Sequence, residues 1–175
     1  MPLYFVAIVA PAAVNEQVRV WKQYMLDHFN CRVALRSPAH ITLIPPFHLQ
    51  KEQEGTLMSA LDHCKKNMVA FDIMLKDFAA FKPRVIYVDV VPDRRLTEVK
   101  RSVEELLYES GFPIKKETRP FHPHVTLANR DLKREDFPKA WEYFSNLKYE
   151  ATFSADNISL LRSGQGGWEI VRGEK

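Results

Sequence analysis

Two short segments of this chain share one pattern, His40-Ile41-Thr42-Leu43 and His124-Val125-Thr126-Leu127. The chain's own residue frequencies predict only about 0.02 matches to His-x-Thr-Leu by chance. In an extended strand, successive side chains point to opposite faces, so His40 and Thr42 share one face while Ile41 and Leu43 share the other. The same holds for His124 and Thr126 against Val125 and Leu127. Each motif can therefore bury two aliphatic residues while presenting an imidazole beside a hydroxyl. An imidazole with an ordinary pKa of about 6.5 can be held neutral to accept a proton or charged to donate one. One of the pair would activate water, and the other would protonate a departing ribose oxygen. The two hydroxyls would hold the non-bridging oxygens of a phosphodiester between the imidazoles. Protonation of the leaving group supplies what a cation otherwise provides, so neither a metal nor a cofactor is expected.

The elements that must position these motifs alternate between strand and helix. Leu3 to Val9 reads as a strand closed by Pro11. Val14 to Phe29 carries Val14, Val18, Trp21, Met25 and Phe29 at helical spacing. His40 to Ile44 is a short strand stopped by Pro45-Pro46, Glu52 to Lys66 a helix, and Ala70 to Phe78 a strand. The second half repeats the order: a strand from Arg84 to Val91, a helix from Leu96 to Glu109, a strand from His124 to Ala128 and a helix from Arg134 to Asn146. Tyr149 to Ser154, Asn157 to Arg162 and Trp168 to Arg172 read as final strands, the last two joined by a Gly-rich turn. The motif histidines are 84 positions apart. One motif per quasi-repeat predicts a single α+β domain of two lobes, made from halves of about 1–81 and 82–175. A pseudo-two-fold axis and a central cleft between the lobes follow as the natural ligand site.

The bulk composition is that of an ordinary globular protein. The chain has 175 residues, 46% hydrophobic and 27% charged, with a net charge of +3. That charge is too mild for a histone-like or tail-type nucleic-acid binder, so a local cluster would have to attract an anionic substrate. Cys31 and Cys64 sit in no metal or redox spacing, which fits reduced thiols and a cytoplasmic location. The apolar start from Met1 to Ala10 lacks a basic region and is too short to span a bilayer, so no membrane association is expected. The chain is expected to act as a monomer.

The paired motifs, the Pro38-Ala39 before His40, and above all Arg119-Pro120-Phe121-His122-Pro123-His124-Val125-Thr126-Leu127-Ala128 resemble the 2H phosphoesterase superfamily. The similarity is to its 2′-5′ RNA ligase and 2′,3′-cyclic phosphodiesterase branch. The resemblance implies a bilobal α+β fold of antiparallel sheets with helices outside. It also implies hydrolysis, or sometimes formation, of 2′-linked or cyclic nucleotide phosphodiesters. His40 then matches the proton donor, His124 the proton acceptor, and Thr42 and Thr126 the phosphate-holding hydroxyls. The expected partner is a nucleotide or an RNA end. An RNA ligase running the reverse reaction, or a non-catalytic nucleotide-binding module, are the rival readings. Asn129 stands between Ala128 and Arg130, which would turn the Arg130 guanidinium to the opposite strand face.

Further residues complete the candidate site. Phe47 and Phe121 adjoin the motifs and could stack on a base, and Arg130 could meet a phosphate. His122 lies two before His124, but no nearby carboxylate or cysteine completes a metal set, so it is expected to be partly exposed or to assist binding. His48 is expected in a loop, and His28 and His63 on helix surfaces. Lys115, Lys116 and Arg119 give a weak local excess of positive charge near the second motif. Trp168 and Arg162 are secondary candidates.

Overall fold

The computed structural model describes residues 1–173. Its elements run β1 (Leu3–Val9), α1 (Ala12–Phe29), a 3₁₀ turn (Val33–Arg36), β2 (His40–His48), a second 3₁₀ turn (Lys51–Gln53) and α2 (Glu54–Lys66). There follow β3 (Phe71–Phe81), β4 (Val85–Val90), α3 (Arg94–Glu109), β5 (His124–Ala128), α4 (Phe137–Ser145), β6 (Glu150–Ala155), β7 (Ser159–Ser163) and β8 (Trp168–Arg172). Local chemistry sets several boundaries. Asn30 takes the left-handed conformation (φ 56°) that ends α1. The Asp93 carboxylate accepts the Arg95 amide at 2.7 Å and starts α3. Pro138 occupies the first turn of α4, where its missing N–H costs nothing, and the helix begins at Phe137 rather than at Arg134.

The strands form two four-stranded antiparallel sheets, ordered β2-β1-β7-β8 and β5-β4-β3-β6. The α+β architecture of two pseudo-symmetric lobes is therefore present: each sheet has a motif strand at its edge and the first strand of its half beside it. The lobes, however, are not the two halves of the sequence. β3 belongs to the second sheet and β7 and β8 to the first, so the second lobe is one continuous segment from Phe71 to Ala155 inserted between β2 and β7. The division at 81/82 falls inside the β3–β4 hairpin, where close antiparallel pairing holds both strands in one sheet.

β2 also differs from expectation. It continues through Pro45-Pro46 to His48, which makes His48 the last residue of the strand rather than a loop residue. β2 is an edge strand, and a missing proline N–H removes nothing from a ladder that has a partner on one side only. Its register with β1 shifts twice, between Tyr4 and Val6 and between Val6 and Ala7, and both prolines lie exposed. β3 likewise runs on to Phe81, past a bulge at which Asp77 adopts φ 55°.

One core joins the lobes. Ile41 and Leu43 from β2, Val125 and Leu127 from β5, Val18 and Met25 from α1, and Leu96, Val103 and Leu107 from α3 are almost fully buried in a single cluster. α1 packs against β5 and α3 against β2, each helix reaching the motif strand of the opposite lobe. A small second cluster, Phe5, Ala7 and Leu161 with Val9, Trp168 and Ile170 around it, covers the other face of the first sheet. No helix among the described residues is long and apolar enough to cross a membrane. Leu127 has no exposed surface, so Leu127→Ala should lower the unfolding free energy by about 2–5 kcal/mol in urea denaturation. Thr126→Ala, on the opposite face of the same strand, should cost less than about 1 kcal/mol.

Candidate active site

His40 and His124 are the first residues of β2 and β5, and their surroundings correspond. His40 stands opposite Val9 and Thr42 opposite Ala7; His124 stands opposite Asp89 and Thr126 opposite Tyr87. Ile41, Leu43, Val125 and Leu127 are buried at 0–1% exposure, whereas both histidines and both threonines are only half-buried. The alternation expected from the motifs is thus present in each strand. β2 and β5 also touch one another, which brings the two edges together.

Each imidazole is oriented by a backbone carbonyl two residues earlier. His40 Nδ1 lies 2.7 Å from the Pro38 carbonyl oxygen, and His124 Nδ1 lies 2.7 Å from that of His122. A carbonyl can only accept, so in both rings Nδ1 carries the proton and donates it, and Nε2 is left for a ligand. The rings are further held by aromatic contacts. Phe5 packs on His40 with centroids 4.8 Å apart. Phe81 meets His124 edge-on at 5.2 Å, and Tyr87 lies 5.1 Å from it. The backbone before His40 is fixed as well: the Ala39 amide donates to Asn15 Oδ1 at 2.7 Å, and its carbonyl accepts the Ala10 amide at 2.9 Å. Asp131 ties the lobes by accepting the amides of Arg32 and Val33 at 2.6 and 2.8 Å.

Burial disfavours the charged form of both rings. It pulls His40 down to about 4, aided by the Lys22 ammonium and by His124, against the opposing effect of the Pro38 carbonyl bond. Burial also lowers His124, where the His122 carbonyl bond and Asp89 pull the other way and the His122 imidazole adds to the lowering. In the free protein both rings are neutral at pH 7.

A cavity of about 330 Å³ opens here, lined by Thr42 and Pro45 from the first lobe and Phe81, Phe121, His122 and His124 from the second. Lys100 and Arg119 also line it, each with a carboxylate partner: Lys100 is paired with Glu104, and Arg119 lies 3.2 Å from Glu117, itself in the wall. Phe121 is half-buried and borders this space, so its ring can meet a ligand. Phe47 is not so placed: it is 6% exposed and packs in the core near Tyr4, centroids 6.5 Å apart. Its expected role in stacking on a base is therefore corrected, because the register of β2 sets it opposite Tyr4, a residue of the core. Arg130 lies exposed in the turn after β5 and does not line the cavity. His122 is exposed and bonds the Tyr87 hydroxyl at 3.2 Å, with Asp89 3.7 Å away. Arg162 is neutralised by Glu54 at 2.7 Å and Glu169 at 3.4 Å.

Two functional candidates escaped the sequence reading. Lys22 on α1 is 3% exposed, donates to the Ser37 carbonyl at 3.0 Å, and is pulled down to about 8 by burial. Lys100 on α3 is 8% exposed and paired with Glu104, whose carboxylate also accepts the Glu117 amide at 3.0 Å. The signal was present in the spacing. Lys22 continues the row Val14, Val18 at steps of four, and Lys100 falls between Leu96 and Val103, so each sits on the apolar stripe of its helix. A lysine there is held at the inner face rather than in solvent.

Comparisons with known proteins identify the family and the fold. The profile of the 2′-5′ RNA ligase superfamily matches residues 10–167. The RNA 2′,3′-cyclic phosphodiesterase of Bacillus subtilis is 25% identical, over 92% of this chain and 87% of its own length. The fold is similar to that of E. coli LigT complexed with 3′-AMP, with a TM-score of 0.69, 22% identity and coverage of 98% of this chain and 97% of that one. TT0787 of Thermus thermophilus gives 0.67 at 18% identity, with 98% and 96% covered. The match over most of the chain shows that this protein belongs to the 2′-5′ RNA ligase superfamily of 2H phosphoesterases.

Proposed function

We propose that the chain is a phosphodiesterase that hydrolyses 2′,3′-cyclic or 2′-5′ linked phosphodiesters of nucleotides and RNA ends by acid–base catalysis between its two histidines. The observation that carries this reading is the matched pair of imidazoles, each with Nδ1 bonded to a carbonyl and Nε2 free. The name of the Bacillus subtilis relative supports the same substrate class.

In the proposed reaction, neutral His124 takes a proton from water through Nε2 as the water oxygen attacks phosphorus. The bond from phosphorus to one ribose oxygen breaks, and that oxygen takes the proton carried on His40 Nε2. Thr42 and Thr126 hold the non-bridging oxygens, where charge builds in the transition state. His40 must enter the reaction protonated, although burial opposes this in the free protein. The negative charge of the bound diester supplies the counter-charge that lets the ring take up its proton. Proton transfer then needs neither a cofactor nor a metal.

His40→Ala and His124→Ala should each lower kcat for a 2′,3′-cyclic nucleotide by about 10²–10⁴-fold, and EDTA should leave the wild-type rate unchanged. Full activity in both variants would overturn the histidine mechanism, and binding without turnover across a panel of cyclic and 2′-5′ linked substrates would indicate a recognition module. Proton NMR of the imidazoles gives an independent check. His40 should stay neutral on acidification until about pH 4, and its midpoint should rise when 3′-AMP is bound. Because the unfolded chain would protonate this residue at about pH 6.5, the free protein should lose stability as pH falls between these values. His40→Gln should remove that part of the slope.

A further inference from the structure

A second cavity, of about 280 Å³, lies against the Ser37-Pro38 backbone that leads into His40. Arg19 and Lys22 of α1, Arg36 at the end of the first 3₁₀ turn and Trp168 at the start of β8 form its wall. We propose that this cavity is a second phosphate subsite, which receives the 5′-phosphate of the nucleotide whose cyclic or 2′-linked phosphate is hydrolysed, and so directs the chain toward RNA ends in preference to cyclic mononucleosides. The proposal rests on the phosphodiesterase reading above and adds to it the part of the substrate that lies outside the reacting group.

Charge is the first support. Three cationic side chains face the cavity and no Asp or Glu lines it. Arg19 and Arg36 are exposed at the mouth, while Lys22 lies 3% exposed at the base. An ammonium has three N–H donors; one of those of Lys22 is given to the Ser37 carbonyl. Burying a lysine against a single carbonyl is costly in folding terms, and an anion in the cavity offsets that cost. Two guanidiniums above an ammonium form a set suited to a 5′-phosphate, free or esterified to a preceding nucleotide, since guanidinium binds non-bridging phosphate oxygens in pairs.

Position is the second support. Pro38 lines the cavity, and its carbonyl is the group that holds His40 Nδ1. On the other side, Phe5 packs on His40 and meets the Trp168 ring edge-on at 4.6 Å. Pro38 thus borders the cavity and holds the His40 ring, and Phe5 links that ring to Trp168 in the cavity wall. If His40 protonates the departing ribose oxygen, that ribose stands on the His40 side of phosphorus. Its 5′ carbon and the phosphate attached to it then extend toward this cavity rather than into the second lobe.

The turn between β7 and β8 is built to close against it. Gly167 adopts φ +144°, and a Cβ there would lie 2.4 Å from the Arg36 carbonyl oxygen. Only glycine lets the turn approach so closely, and that approach sets Trp168 and Arg36 on opposite sides of one space.

The test compares adenosine 3′,5′-bisphosphate with adenosine 3′-monophosphate by isothermal titration calorimetry. The wild-type chain should bind the bisphosphate roughly tenfold or more tightly, and the R19A/R36A double variant should bring the ratio of affinities close to one. A K65A/K66A control removes the same net charge at the end of α2 and should keep the wild-type ratio. Equal affinities in wild type, or a preference that survives R19A/R36A, would overturn the subsite. In parallel, kcat/KM for a 5′-phosphorylated 2′,3′-cyclic nucleotide should exceed that for the unphosphorylated one, with R19A/R36A lowering the ratio. An arginine-dependent binding preference without turnover of either nucleotide would leave the subsite standing and remove the hydrolase reading.

Discussion

Every feature of the site depends on the register of two edge strands. β2 and β5 each bury one face in the common core and leave the histidine and threonine of the other half-exposed. Because strand side chains alternate with a period of two, a slip of one residue would bury His40 and Thr42 and expose Ile41 and Leu43. The strong preference of the aliphatic side chains for the core therefore determines where the imidazoles point. Pairing of Val9 with His40 and of Asp89 with His124 repeats the same arrangement in both sheets. Precision in the polar half of each motif is a by-product of the apolar half.

The electrostatics of the cleft follow from that same burial. Half-buried rings resist charge, and the nearby Lys22 makes protonation of His40 harder still. Lys100 has a carboxylate partner, whereas Lys22 has a backbone carbonyl. In the proposed reaction the negative charge of the bound diester offsets the Lys22 ammonium and lets His40 take up the proton it donates, so binding of the ligand and readiness of the acid are one event.

Much of this was legible in the sequence because it is local. β1, β5 and β8 appear with the bounds that alternation and turn residues predict, and the two motifs announced their own faces. Misreadings arose where a distant partner decides the outcome. Pro45 and Pro46 stop a central strand but not an edge strand, and nothing in their neighbours says which β2 is. Neither the pairing of β3 with β4, across the expected division of the halves, nor the choice of β1 by β7 followed from the strand patterns themselves. Phe47 adjoins the motif in sequence, but two register shifts that no local pattern announces set it opposite Tyr4 in the core. The buried lysines were passed over because helical stripes were traced through apolar residues alone.

The second lobe, inserted whole between β2 and β7, enters and leaves through two neighbouring strands, with Phe71 paired to Ala155 where they meet. A lobe joined by one connection can swivel; one joined by two side by side, and sharing a core with its host, has little freedom to turn. The separation of the two imidazoles is then a fixed dimension of the fold. Under the proposed reaction the fold acts as a rigid gauge, selecting ligands by whether their phosphorus fits a preset gap between the two imidazoles, with no closing motion needed to assemble the pair.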